Sequence, residues 1–375
     1  VRTAIATVAA YKLGAYGTAP NGRAVVTSEG SDRFPVGKRV VLNRISGHRD
    51  TGRTDCPGDA LYAQLPAIRA IAGAGPAGLR LLRMTGATRY GSLLFTRGVI
   101  KPLWTVGTPS ALINRFEVLV DGKLTLAAPG AHRAAVLRLA PGGHTVMVRA
   151  LHLSGRSTTV STKVVSDATA PVFTGRPDVV LRPGSLNGSV PIRLQWTATD
   201  VNGLASVGLL RPSTVDLGAT AHGRNGSVAP GRPATFTLRA TDRAGNAASA
   251  SVTRTPVVVS EAATQRTGVW RVLRGSSYLG GVGLGASAAG ATATWSFTGR
   301  SAALAVSRGA LSGRIRIWVD GNDHGVVDLR SANTLDRQAI WARSWSTSAE
   351  HTVRVQVEGT TGRPGVVLDG LVYLR

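Results

Sequence analysis

Apolar positions set the first segment apart from the rest of the chain. Ala4, Ile5, Val8, Ala9 and Leu13 recur at three- and four-residue steps, which predicts an amphipathic helix over residues 3–16, closed by Gly17 and Pro20. Val25-Val26 and residues 39–45 read as strands. A second helix is expected from Asp59, with Leu61, Leu65, Ile68 and Ile71 on one face and the Asp59 carboxylate available to its first free amides. The run G-A-G-P-A-G at 73–78 is a linker by composition.

From residue 79 the helical period gives way to alternation. The stretch R-F-E-V-L-V at 115–120 meets the turn Asp121-Gly122, and Pro141-Gly142-Gly143 marks another, so a β-sandwich is expected over 79–166. Residues 172–257 alternate in the same way at I-R-L-Q-W-T and T-F-T-L-R-A, each followed by an A-T-D copy at 198–200 and 240–242. Asp200 and Asp242 read as Asx-turn residues in an Ig-like or fibronectin-like module rather than as calcium ligands. Residues 266–375 make a third β unit, with Asp320-Gly321-Asn322 as a hairpin turn. The finish L-D-G-L-V-Y-L resembles the last strand of jelly-roll domains of the carbohydrate-binding type.

Length agrees with several domains, since 375 residues exceed one ordinary core. No run of about 18 apolar residues occurs to span a membrane. The pattern opens inside a helix, with no leader or initiating Met before it, and is read as a fragment whose front is missing.

Charge widens the partner list without choosing from it. The formal charge is +24, and only five of the 44 basic residues are Lys. Such a chain is drawn to polyanions. The Arg residues are scattered rather than striped, and no nucleic-acid-binding signature is present, so nucleic acid is not expected and anionic wall polymers suit better.

The sharpest chemistry lies in G-H-R-D-T-G-R-T-D-C-P-G-D, residues 47–59. His48 and the single cysteine, Cys56, stand eight positions apart, and Gly52 between them permits a tight turn. Imidazole and thiolate are natural zinc donors, while a catalytic zinc needs three protein ligands and one open position. The plain alternative is a buried Cys and a loop His with no metal.

The whole string I-S-G-H-R-D-T-G-R-T-D-C-P-G-D-A-L-Y resembles the second half of the peptidoglycan recognition protein and type 2 N-acetylmuramoyl-L-alanine amidase family. The resemblance covers residues 1–73. It implies Zn²⁺ held by His48 and Cys56, Thr54 beside the substrate oxyanion, and hydrolysis of the bond between N-acetylmuramic acid and L-alanine. The family's first zinc His and its water-assisting Tyr or Glu have no counterpart here, so the chain is expected to be inactive as it stands. Arg49 and Asp50 are expected to brace the loop by an ion pair.

Five of the seven tryptophans fall in 266–375. Trp295 and Trp318 are expected in the core. Trp341 and Trp345, beside Arg343 in an expected loop, are the sugar-contact candidates. The fold expected is therefore multidomain: a truncated α/β amidase domain (1–73), two Ig-like sandwiches (79–166 and 172–257) and a jelly roll (266–375). The function expected is a secreted, wall-associated peptidoglycan amidase. The alternative is a non-catalytic glycan-binding surface protein.

Overall fold

The computed structural model describes residues 1–375, and β-strands dominate it. The chain forms two compact units, Val1–Thr169 with Arg243–Gly245, and Ala170–Asp242 with Asn246–Arg375.

The first unit opens with helix α1 (Arg2–Ala15), an antiparallel pair β1 (Arg23–Thr27) and β2 (Arg39–Asn43), and helices α2 (Asp59–Tyr62) and α3 (Leu65–Gly73). The buried stripe of α1 is Ala6 and Ala10, which meet Leu65, Ile68 and Ala72 of α3. Val8, expected on the inner face, is 62% exposed. Two alanines let the helices approach closely, and that approach sets the stripe. The helix expected from Asp59 is broken in two, because Pro66 lacks an N–H and starts α3 afresh. Asp59 caps nothing and pairs instead with Arg49 at 2.8 Å.

The remainder of this unit is one seven-stranded sheet. Its order is Arg80–Tyr90, Leu93–Thr105, Ser157–Ser166, Gly142–His152, Ile113–Val120 and Lys123–Pro129, with Leu137–Arg138 added to Leu93–Thr105. Trp104, Phe116, Val118, Val146, Val148 and Val164 fill its core. Asp121 and Gly122 both take positive φ, 52° and 80°, which is the turn that a two-residue hairpin needs. The Asp121 carboxylate also ties the turn to the next strand. One oxygen accepts from the Thr145 amide at 2.8 Å and the other meets His144 Nδ1 at 2.7 Å. The hydrogen bond to Asp121 raises the His144 imidazole above its ordinary value.

In the second unit a three-stranded sheet (Asp178–Leu181, Val190–Gln195, Gly223–Val228) faces a four-stranded one (Val215–Asp216, Leu204–Arg211, Ala234–Asp242, Ala247–Arg254). Asp200 accepts from the Asn202 amide and Asp242 from the Asn246 amide, both at 2.8 Å, so both act as turn residues. A ten-stranded sheet formed largely by residues 256–375 carries the second core, around Trp295, Phe297, Ile315, Ile317 and Leu368.

One strand belongs to both cores. Along Thr292–Arg308, Ala302, Leu304 and Val306 face the second core, while Ala303 and Ala305 face the first. Strand alternation on a segment buried on both faces produces this division. Gly184–Ser185 pairs directly with Leu335–Val357, and the Leu181 amide donates to Ser301 Oγ at 3.0 Å.

The expected fold class needs correction. The chain is 54% strand and 10% helix. Its first 73 residues hold short helices around a two-stranded ribbon rather than a truncated α/β layer. The helical periodicity at the front was real, but two five-residue strands do not build a sheet for helices to cover.

Candidate functional site

The loop at 47–59 is built from local contacts. His48 opens a short 3-10 turn, and the Arg49 amide donates to the Cys56 carbonyl at 3.0 Å, drawing the two ends of the loop together. Gly52 sits close to its neighbours: a Cβ there would lie 3.2 Å from Asp32 Oδ1, which would have to give slightly, and in ordinary contact with His48 Nε2 at 3.5 Å. Gly58, at φ 85°, turns the chain into α2. Asp50 accepts from the Gly47 amide at 2.8 Å and from the Tyr62 hydroxyl. That second bond pushes the Tyr62 phenol up. Arg49 bonds Asp59 and the Asp55 carbonyl and lies 4.7 Å over the Tyr62 ring. Arg49 and Asp50 therefore both brace the loop, with other partners than each other. Asp32, which the sequence did not single out, accepts from the Arg53 amide with both oxygens.

His48 and Cys56 are both exposed. They belong to no cluster of three or more His, Cys, Asp or Glu donors. Thr54 Oγ1 accepts from the Cys56 amide at 3.2 Å, an ordinary hydroxyl turn. These residues do not fit a catalytic zinc with three protein ligands. Of the expected Zn²⁺ site, this chain supplies the two donors named from the sequence, His48 and Cys56, with Thr54 two residues before the cysteine.

The tryptophans of the last β unit divide by what their indoles do. Trp295 is 1% exposed and donates its N–H to the Ser260 carbonyl at 3.3 Å. Trp270 donates to Thr267 and Thr292 carbonyls. Trp318, expected in the core, is half-buried on the outer face with Arg354 4.2 Å above its ring. Trp341 and Trp345 are half-buried, and neither donates to a protein acceptor. They stand on strand Leu335–Val357 rather than in a loop.

Alternation puts Trp341, Arg343 and Trp345 on one face of that strand. Opposite them, Trp341 pairs with Leu304 and Arg343 with Ala302; residues 345–348 then bulge out where a single residue of the neighbour, Arg300, faces them. The bulge carries Trp345. Its ring stacks on His351 at 3.9 Å and 15°, meets Phe297 at 6.0 Å, and has the Arg343 guanidinium 5.9 Å away. Arg343 Nη1 lies 2.8 Å from a ring nitrogen of His324.

His351 is held from below by Asp320, whose Oδ2 meets its Nδ1 at 2.8 Å and whose Oδ1 accepts the Thr352 amide at 2.8 Å. Burial pushes the Asp320 carboxyl up, but the Thr352 amide and His351 outweigh it and hold it below the usual range. The arrangement repeats the one at Asp121, Thr145 and His144. A shared signal announces it in the sequence: V-D-G at 120–122 and 319–321, and H-T-V at 144–146 and 351–353. That repeat was missed.

A second missed feature lies inside the same unit. Asp369 is fully buried; its Oδ1 accepts from the Leu279 amide at 2.7 Å and its Oδ2 has no partner. Burial pushes its carboxyl up to about 7, with Glu261 adding to the effect. Glu261 is likewise buried, with neither oxygen bonded.

No family model and no curated protein matches the chain. Among solved structures, the chain is similar to fibronectin(III)-like modules of Clostridium thermocellum CbhA, at 18% identity and TM-score 0.32 over 47% of this chain and 92% of that one. It is similar to a family 35 carbohydrate binding module from Clostridium thermocellum, at 16% identity and TM-score 0.25, over 31% of this chain and 96% of that one. The CBM36-1 domain of a multidomain xylanase from the hindgut metagenome of Trinervitermes trinervoides matches at 13% identity and TM-score 0.26, over 32% and 96%. The resemblance to the peptidoglycan recognition protein and amidase family is accordingly corrected. It covered residues 1–73, no family model supports it, and the chain is mostly β. No helix is long and apolar enough to cross a membrane.

Proposed function

We propose that this chain is a non-catalytic, extracellular glycan-binding protein that holds cell-wall peptidoglycan through strand Leu335–Val357. The observation that carries the reading is the row Trp341, Arg343 and Trp345 on one strand, with Arg343 exposed and both indoles half-buried at the margin of the second core. An indole face packs against the C–H surface of a sugar ring, and a free N–H with a nearby guanidinium supplies donors for ring hydroxyls. The Asp320–His351 clasp under Trp345 fixes the aromatic surface in place, which limits the entropy lost on binding.

Co-sedimentation of the full chain with purified peptidoglycan sacculi tests this. Trp345→Ala is expected to weaken retention by about tenfold, in line with the loss of a central aromatic contact. Trp345→Phe, which keeps the stack on His351, is expected to retain more binding and an unchanged melting temperature. Wild-type retention by a correctly folded Trp345→Ala would exclude this strand as the contact.

A further inference from the structure

The second unit contains a cavity of about 390 Å³ lined by Arg176, Asp178, Ser251, Thr253, Arg254 and Arg300. Asp178 is the only carboxylate in the lining, and it already serves two cations. Its Oδ1 takes Arg254 Nη2 at 2.7 Å and its Oδ2 takes Arg300 Nη2 at 3.1 Å. Three guanidiniums against one carboxylate leave a local excess of two positive charges. The Nε–H groups of Arg254 and Arg300 are buried and have no acceptor. Arg176 is exposed and enters no ion pair. The Ser251 and Thr253 hydroxyls are taken up by Thr237 and Thr235. The arginines alone therefore carry spare donors.

An oxyanion that receives several charge-assisted donors at once is held strongly. A carboxylate offers two oxygens and one charge. The free guanidinium of Arg176 and two uncompensated charges in the lining match a phosphate group better. We propose that this cavity is a binding site for a phosphate-type oxyanion. Its lining shares no residue with strand Leu335–Val357, and the inference does not rest on the sugar-contact reading.

Titration calorimetry of the full chain with inorganic phosphate, against chloride at matched ionic strength, is the test. Saturable phosphate binding is expected. Arg176→Gln should weaken it by about tenfold, the worth of one charge-assisted hydrogen bond. That variant should melt like wild type in chloride, because Arg176 supports no neighbour. Arg266→Gln, which removes an exposed arginine outside the cavity lining, should leave binding unchanged. A second arm uses poly(glycerol phosphate) at equal phosphate concentration. Tighter binding there identifies a phosphodiester polymer as the source, and equal or weaker binding identifies free phosphate; both outcomes support the site. Heats indistinguishable from chloride, or equal losses in Arg176→Gln and Arg266→Gln, would overturn it.

Discussion

Asp369 shows how one residue imposes a pH dependence on the second unit. Its carboxyl is pushed up to about 7 by burial, against an ordinary value of 3.8. Between these limits the folded chain holds a proton that the unfolded chain has released. Stability from this group is therefore full below about pH 4 and falls as pH rises to about 7, by at most about 1.4 kcal/mol per pH unit. Asp369→Asn removes the charge and keeps an oxygen for the Leu279 amide. It should melt higher than wild type at pH 8, with the gap narrowing towards pH 5. A gap independent of pH would contradict the assignment. His48 and Cys56 make the opposite point. Their spacing was legible, but a metal site is a property of three or more donors in space. As they belong to no cluster of three or more donors, Cys56→Ala should leave zinc uptake by the chain unchanged in equilibrium dialysis. Stoichiometric zinc lost in that variant would revive the site.

Elements were read best where backbone chemistry is local. The Asp121-Gly122 and Asp320-Gly321 hairpins lie where the dipeptides put them, because positive φ at both positions selects these residues. Trp341 and Trp345 were expected in a loop, yet no Gly or Pro interrupts residues 335–357, and Ser344, Ser346 and Ser348 are exposed. Cross-strand partners were beyond reach, since register is set by pairing. Glu117 is 3% exposed and faces Arg149 across the sheet, with Arg115 two residues away on the same strand. Burial pushes its carboxyl up, and bonds from Arg149 and Arg115 outweigh this to hold it below its usual range. Glu117→Ala removes the shared acceptor of two half-exposed guanidiniums. Arg115 and Arg149 are 45% and 38% exposed, so solvent screens the charges left behind, and denaturant unfolding should show a loss of about 1 kcal/mol; a gain in stability would contradict a favourable role for the cluster.

At the scale of the whole molecule, composition separated residues 172–257 from 266–375, whereas packing joins them in one compact unit. The joint is made by Ala303, Ala305, Ala339, Val372 and Leu374, which complete the core of the preceding sandwich. Small residues on strands that are buried on both faces were visible as A-A-L-A-V, but which core each face serves depends on the chain that comes to lie against it. The consequence for function is an anchored strand: residues 341–344 pair with Ser301–Leu304, Gly184–Ser185 pairs just before them at 338–339, and residues 353–357 pair with Ile315–Val319. The most direct measurement is the set of indole N–H resonances of the full chain titrated with a soluble peptidoglycan fragment. The signals of Trp341 and Trp345 should shift saturably, while those of the buried Trp104, Trp196 and Trp295 stay in place. No shift in Trp341 and Trp345 at saturating fragment, or equal shifts in all five, would contradict glycan binding at this strand.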